Sequence, residues 1–207
     1  KLIDDNNVEA VYFDKTYKIS LSNVKGLVNA TTVWPLVANG LNLTGKGQTA
    51  CILDTGVNYS HANLGGCVSG SFSAGNCGRV IDGYDYVNSD ADPYDDHGHG
   101  THVSGIIASN ASDNTGIATG SNIIMMKVCN AAGSCSGSAM LSGLDWCISN
   151  RTVYNISVIS ISIGADLYSS YCDSTSSFTS SINNATAVNI SVVIAAGNGN
   201  NNDGVGR

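Results

Sequence analysis

The chain has 207 residues, of which 43% are hydrophobic and 12% charged, a composition that suits one globular domain around a single core. Its net charge of -7 argues against nucleic acid or an anionic membrane surface as partner, since neither attracts an acidic protein. The longest apolar run, Val188 to Ala196, is interrupted by Asn189 and Ser191 and is far too short to span a bilayer.

In chain order, Val8 to Ile19 reads as an alternating strand, with Val11, Phe13 and Tyr17 set against charged neighbours. Residues 48 to 53 predict a buried strand that Asp54-Thr55-Gly56 ends in a turn, and Arg79 to Val87 a second strand followed by an acidic loop. The spacing then predicts a helix over Thr101 to Asn110, a strand over Ile123 to Val128 and a helix over Ser136 to Ser149. A strand at Val158 to Ile163, a helix at Thr175 to Val188 and a strand at Ile190 to Ala196 complete the series. Apolar strands alternating with helices define an α/β domain whose mainly parallel sheet is covered on both faces. Such sheets bind ligands at the carboxyl ends of their strands, where Asp54, Gly164 and Gly197-Asn198 fall.

Seven cysteines with no CxxC pair favour disulfides over a zinc ribbon. Loop spacing suggests Cys67 with Cys77 and Cys129 with Cys135, leaving Cys147 for Cys172 and Cys51 as a lone thiol in an apolar run. Asn-x-Ser/Thr sequons begin at Asn29, Asn42, Asn58, Asn110, Asn150, Asn155, Asn184 and Asn189. With the cysteines they point to a secreted or cell-surface glycoprotein in an oxidising compartment.

Asp54 has two readings from its residues alone, a turn cap or a functional carboxylate; an aspartic-protease dyad would need a second Asp-Thr-Gly or Asp-Ser-Gly, which is absent. His97-Gly98-His99-Gly100-Thr101-His102 lacks the His-Glu-x-x-His zinc pattern, and its glycines indicate a tight turn at the mouth of a helix. There His99 can act as a general base, oriented by Asp54. Ala195-Ala196-Gly197-Asn198-Gly199 is either a strand entering an Asn-Gly turn or an amide donor for an oxyanion. The acidic residues Asp82, Asp85, Asp90, Asp92, Asp95 and Asp96 form either a calcium-ligating or a solvated loop.

Taken together these segments resemble the subtilisin-like serine proteases, or subtilases. Asp54-Thr55-Gly56-Val57 resembles the family's Asp motif and Gly98-His99-Gly100-Thr101-His102-Val103-Ser104-Gly105 its His motif, in the right order over about residues 30 to 207. The resemblance implies Asp54, His99 and Asn198 as catalytic residues, with His102 structural. It implies that Ser162, Ile163 and Gly164 pair with substrate backbone, that Gly133 and Ser134 lie in the cleft wall, and that Asp113-Asn114 sits where a structural calcium loop often lies. Nothing in the chain resembles the Gly-Thr-Ser-Met-Ala-x-Pro motif that carries the nucleophile; Gly137-Ser138-Ala139-Met140 belongs to the wall helix.

The resemblance therefore implies that residues 23 to 207 are the N-terminal part of a catalytic domain, cutting protein or peptide substrates once a C-terminal segment supplies the serine. Residues 1 to 22 resemble a prodomain tail, with an N-terminal extension strand as the alternative. Asp166 and a terminal Arg207 would fit cleavage after basic residues, whereas a small or apolar pocket is usual in the family. The rival functions are a catalytically dead peptide-binding module and a calcium-dependent surface protein.

Overall fold

The computed structural model describes residues 22–164 and 178–195. The elements are α1 (Ser22–Leu27), α2 (Ala30–Val33), β1 (Val37–Ala38), β2 (Leu41–Asn42), β3 (Thr49–Asp54), α3 (Ser69–Ser73), β4 (Val80–Asp85), α4 (His99–Ala108), β5 (Asn122–Lys127), α5 (Gly137–Ser149), α6 (Arg151–Tyr154), β6 (Ile156–Ile161), α7 (Thr179–Ala187) and β7 (Ser191–Ile194). Five strands form one sheet in the order β4-β5-β3-β6-β7, every pairing parallel. The expected α/β architecture is what the described residues build.

Side-chain alternation sorts the core into two layers. Cys51 and Leu53 of β3, with Ile124 and Met126 of β5, pack towards α5 and α7 against Leu144, Cys147 and Ala185. Ala50 and Ile52, with Ile123 and Met125, pack on the other face against Val103 and Ala108 of α4. Both faces are covered, so the central strands are apolar throughout, and each fully buried Ile or Leu contributes roughly 1.5–3 kcal/mol. Gly143 lets α5 lie close to the sheet, since a Cβ there would stand 3.1 Å from Met126 Cβ and 3.4 Å from Leu53 Cγ.

The pairing of Cys51 corrects an expectation. Cys51 bonds Cys147, and Cys67–Cys77 and Cys129–Cys135 form as local bridges. Cys51 lies on the sheet face that α5 covers, and Cys147 lies on the buried side of α5, so a lone thiol and a Cys147–Cys172 bridge are both excluded. Cys172 itself falls outside the described residues.

Two element boundaries differ from expectation in ways that matter for the site. Helix α4 starts at His99 rather than Thr101, because Gly98 takes the left-handed φ of 104° that turns the chain into the helix. Strand β6 ends at Ile161, its last residue paired to Leu53 and Ile194, so Ser162, Ile163 and Gly164 run on beyond the sheet.

Candidate active site

Asp54 is the last residue of β3 and is fully buried; its neighbour across the sheet is Lys127, the last residue of β5. The Gly-containing turns on either side allow α4 to come down on this strand end. A Cβ on Gly100 would stand 2.1 Å from Gly56 O and 3.1 Å from Asp54 Oδ1, and one on Gly56 would stand 2.7 Å from Pro93 O. Only glycine fits either position, which is the physical content of the Asp-Thr-Gly and His-Gly-Thr patterns.

That close approach brings His99 Nδ1 to 2.7 Å from Asp54 Oδ1. An ionised carboxylate only accepts, so the bond fixes the proton on Nδ1 and leaves Nε2 as the nitrogen free to take another. Asp54 Oδ1 also accepts from Thr55 N at 2.7 Å, which anchors the carboxylate from its own backbone. The His99 side chain is 44% exposed against 1% for Asp54, so the imidazole faces solvent and the carboxylate bonded to it does not.

A second carboxylate holds the turn that delivers His99. Asp95 Oδ1 accepts from His97 N at 3.0 Å, Gly98 N at 2.8 Å and Thr55 Oγ1 at 2.9 Å. Its Oδ2 accepts from Thr101 N at 2.9 Å and Thr101 Oγ1 at 2.5 Å. Thr55 Oγ1 in turn accepts from Gly100 N at 2.9 Å, and Thr101 Oγ1 accepts from Asn58 N at 2.8 Å. Burial alone would push the Asp95 carboxyl up, but the bonds from Gly98, Thr101 and His97 outweigh it and leave its pKa below the ordinary value. Lys127, only 1% exposed, extends this support: its Nζ donates to Thr55 O at 2.7 Å and to Asp96 Oδ1 at 2.5 Å.

The sequence places Asp95 only in the acidic loop and gives Lys127 no site role, so the support of the His99 turn by both is a finding of the structure. Signals for both existed. An Asp with Gly three residues on suits a carboxylate that caps its own turn, and a Lys ending an otherwise apolar strand needs a buried partner.

Asp54 and His99 open onto a cleft of about 720 Å³ that Gly133, Ser162, Ile163, Gly164 and Ile194 also line. The Cys129–Cys135 bridge forms part of the same wall. His97 lines it too, with its ring 6.4 Å from that of His99. Ser134 faces a separate depression of about 360 Å³, together with Tyr86 and Asn130. Asn198 and Asp166 lie outside the described residues, as does Val8 to Ile19.

The candidate calcium segments all lie among the described residues. Asp113 is exposed and accepts from Ser112 Oγ at 3.2 Å, while Asn114 lines another depression beside His61 and His102. In the acidic loop Asp85 accepts from Val87 N and Asn88, Asp92 from Tyr59 Oη, and Asp82 from Tyr154 Oη and Gly83 N. Among the described residues no group of three or more His, Cys, Asp and Glu is arranged to hold a metal ion.

A buried Asp at the end of a parallel strand, bonded to a solvent-facing His at the rim of a cleft, is an arrangement in which a carboxylate can orient an imidazole as a general base. Residues 45–206 match the model of the subtilase family, Peptidase S8, and the chain belongs to that family. It is 33% identical over 208 residues to serine protease AprX of Bacillus subtilis (strain 168), covering 95% of this chain and 42% of that protein. It is also 33% identical over 159 residues to alkaline serine exoprotease A of Vibrio alginolyticus, covering 77% of this chain and 25% of that one. Among solved structures, a cold adapted subtilisin-like serine proteinase superposes with a TM-score of 0.59 at 34% identity, covering 79% of this chain and 52% of that one. The chain thus spans about half or less of the length of these relatives. No helix among the described residues is long and apolar enough to cross a membrane.

Proposed function

We propose that this chain supplies the Asp, the His and the oxyanion Asn of a secreted serine endopeptidase whose nucleophilic serine lies on a further segment of the same precursor. The observation that carries the reading is the 2.7 Å contact between His99 Nδ1 and Asp54 Oδ1 at the rim of the cleft that Ser162 to Gly164 line.

In this reading a peptide lies along the cleft, its backbone paired with residues 162–164. His99 Nε2 takes the proton of the attacking serine hydroxyl as the hydroxyl adds to the scissile carbonyl, and Asp54 stabilises the imidazolium that forms. Asn198 and a backbone N–H bind the oxyanion. His99 then returns the proton to the leaving amine, and a water repeats the sequence on the acyl-enzyme. Residues 1–22 are read as a prodomain remnant left by activation.

The test is labelling of the full-length protein, or of this chain with its C-terminal companion, with a fluorophosphonate. Incorporation at one serine is expected. A folded sample that resists labelling would instead fit a peptide-binding subtilase module without catalysis.

A further inference from the structure

The fold separates the sequons into those whose amides are in use and those whose amides are free. Asn150 Nδ2 donates to Trp146 O at 2.9 Å, Asn155 Nδ2 donates to Gly47 O, and Asn58 is half-buried with its Oδ1 accepting from Ser60. The side chains of Asn29, Asn42, Asn110, Asn184 and Asn189 are exposed and make no hydrogen bond to other described residues. Asn29 stands at the N-terminus of α2 in the left-handed conformation without bonding that helix end through its side chain.

Three of these sequons, those of Asn29, Asn42 and Asn110, are far apart in the chain yet converge on one place. Asn42 and Asn110 both line a depression of about 680 Å³, and so do Thr31 and Thr44, the hydroxyl residues of the Asn29 and Asn42 sequons. Trp34 and Pro35 also line it, with Trp34 fixed by donation from Nε1 to Ile117 O at 2.8 Å. The hairpin that supplies Asn42 also carries exposed apolar side chains along this rim of sequence: Leu36 is 53% exposed, Val37 63%, Leu41 43% and Leu43 41%. Exposed apolar side chains this near the acceptors in sequence can be shielded by a sugar attached there.

We propose that Asn42 and Asn110 carry N-linked glycans that lie over the Trp34 depression and this apolar rim, with Asn29 as a flanking acceptor. The backbone at both main acceptors is already held, by the pairing of Asn42 with Val37 and by the bond from Asn110 N to Asn63 O, so a sugar on the free Nδ2 displaces no contact. In the transfer, Nδ2 attacks the anomeric carbon of an oligosaccharide carried on a lipid diphosphate. The Nδ2–C1 bond forms, the C1–O bond to phosphate breaks with its electron pair leaving on the lipid diphosphate, and one amide proton is released.

The experiment is glycopeptide mapping and intact mass of the full protein purified from the cells that make it, which reads independently of peptidase activity. Hexose- or N-acetylhexosamine-containing adducts are expected on the peptides that contain Asn42 and Asn110. Thr44→Ala combined with Ser112→Ala should remove them while leaving both asparagines in place, and Asn150→Gln and Asn155→Gln should leave the mass of the glycans unchanged. Unmodified Asn42 and Asn110 peptides would overturn the proposal, as would adducts confined to Asn150 and Asn155.

Discussion

Asp95 and Thr101 are joined twice across the turn that carries His99, the carboxylate Oδ2 accepting from both the backbone N–H and the hydroxyl of the threonine. The turn therefore closes on a carboxylate rather than on backbone, and the position of His99 depends on the charge state of Asp95.

Replacing that carboxylate should loosen the base without touching it. In Asp95→Ala the N–H groups of His97, Gly98 and Thr101 lose their acceptor, and a half-buried site of this kind should be destabilised by about 2 kcal/mol, read from the denaturant midpoint. The fall in kcat should exceed any rise in KM, because the lost order is in the base and not in the peptide-pairing segment.

The same residue sets a pH dependence. Its folded pKa lies below the ordinary 3.8, so the stability it contributes is present above that value and is lost as pH falls through the folded pKa. The stability gap between wild type and Asp95→Ala should be constant above about pH 5 and should close at more acid pH. Urea unfolding across that range measures it; a gap unchanged well below pH 3 would show that the ionised form is not what holds the turn.

Lys127 and Asp96 should couple. Asp96→Ala leaves a cation that is 1% exposed with only Thr55 O as partner, while Lys127→Met removes the charge itself. Because Asp96 is 46% exposed, water relieves part of the penalty, and a double-mutant cycle should give an interaction of roughly 1–2 kcal/mol. A cycle that closes at zero would leave the bond to Thr55 O as the interaction that holds Lys127.

The disulfides should rank by the chain they close. Cys51–Cys147 spans 96 residues and ties the central strand to α5, so its paired Cys→Ala variant should lose about 4–5 kcal/mol. Cys129–Cys135 spans 6 residues and should contribute about half as much to stability, and its loss should show chiefly in KM, since it stiffens a cleft wall. Thermal melts and peptide kinetics of the two variants separate these effects.

Much of the architecture was legible in the chain because its strands are apolar on both faces and its turns carry glycine where only glycine fits. Asp54 and His99 could be named for the same reason: one ends a buried strand, and the other follows a Gly that must adopt positive φ. What could not be read was long-range. The partner of Cys51 depends on which face of β3 meets α5, and a spacing of 96 residues carries no sign of it. Composition leaves Asp95 as one member of an acidic loop, calcium-ligating or solvated, because it shows charge but not direction, whereas Asp95 Oδ1 accepts from the backbone of its own turn.

The account rests on the Asp54–His99 pair as the general base, and kcat for peptide hydrolysis by Asp54→Asn in the complete protein tests it most directly. An amide in place of the carboxylate favours the wrong imidazole tautomer, so kcat should fall by roughly 10⁴, the size found when a triad Asp is replaced by its amide in a serine protease of another fold, with KM and the unfolding midpoint little changed. A folded Asp54→Asn protein that retains kcat within a few-fold of wild type would contradict it.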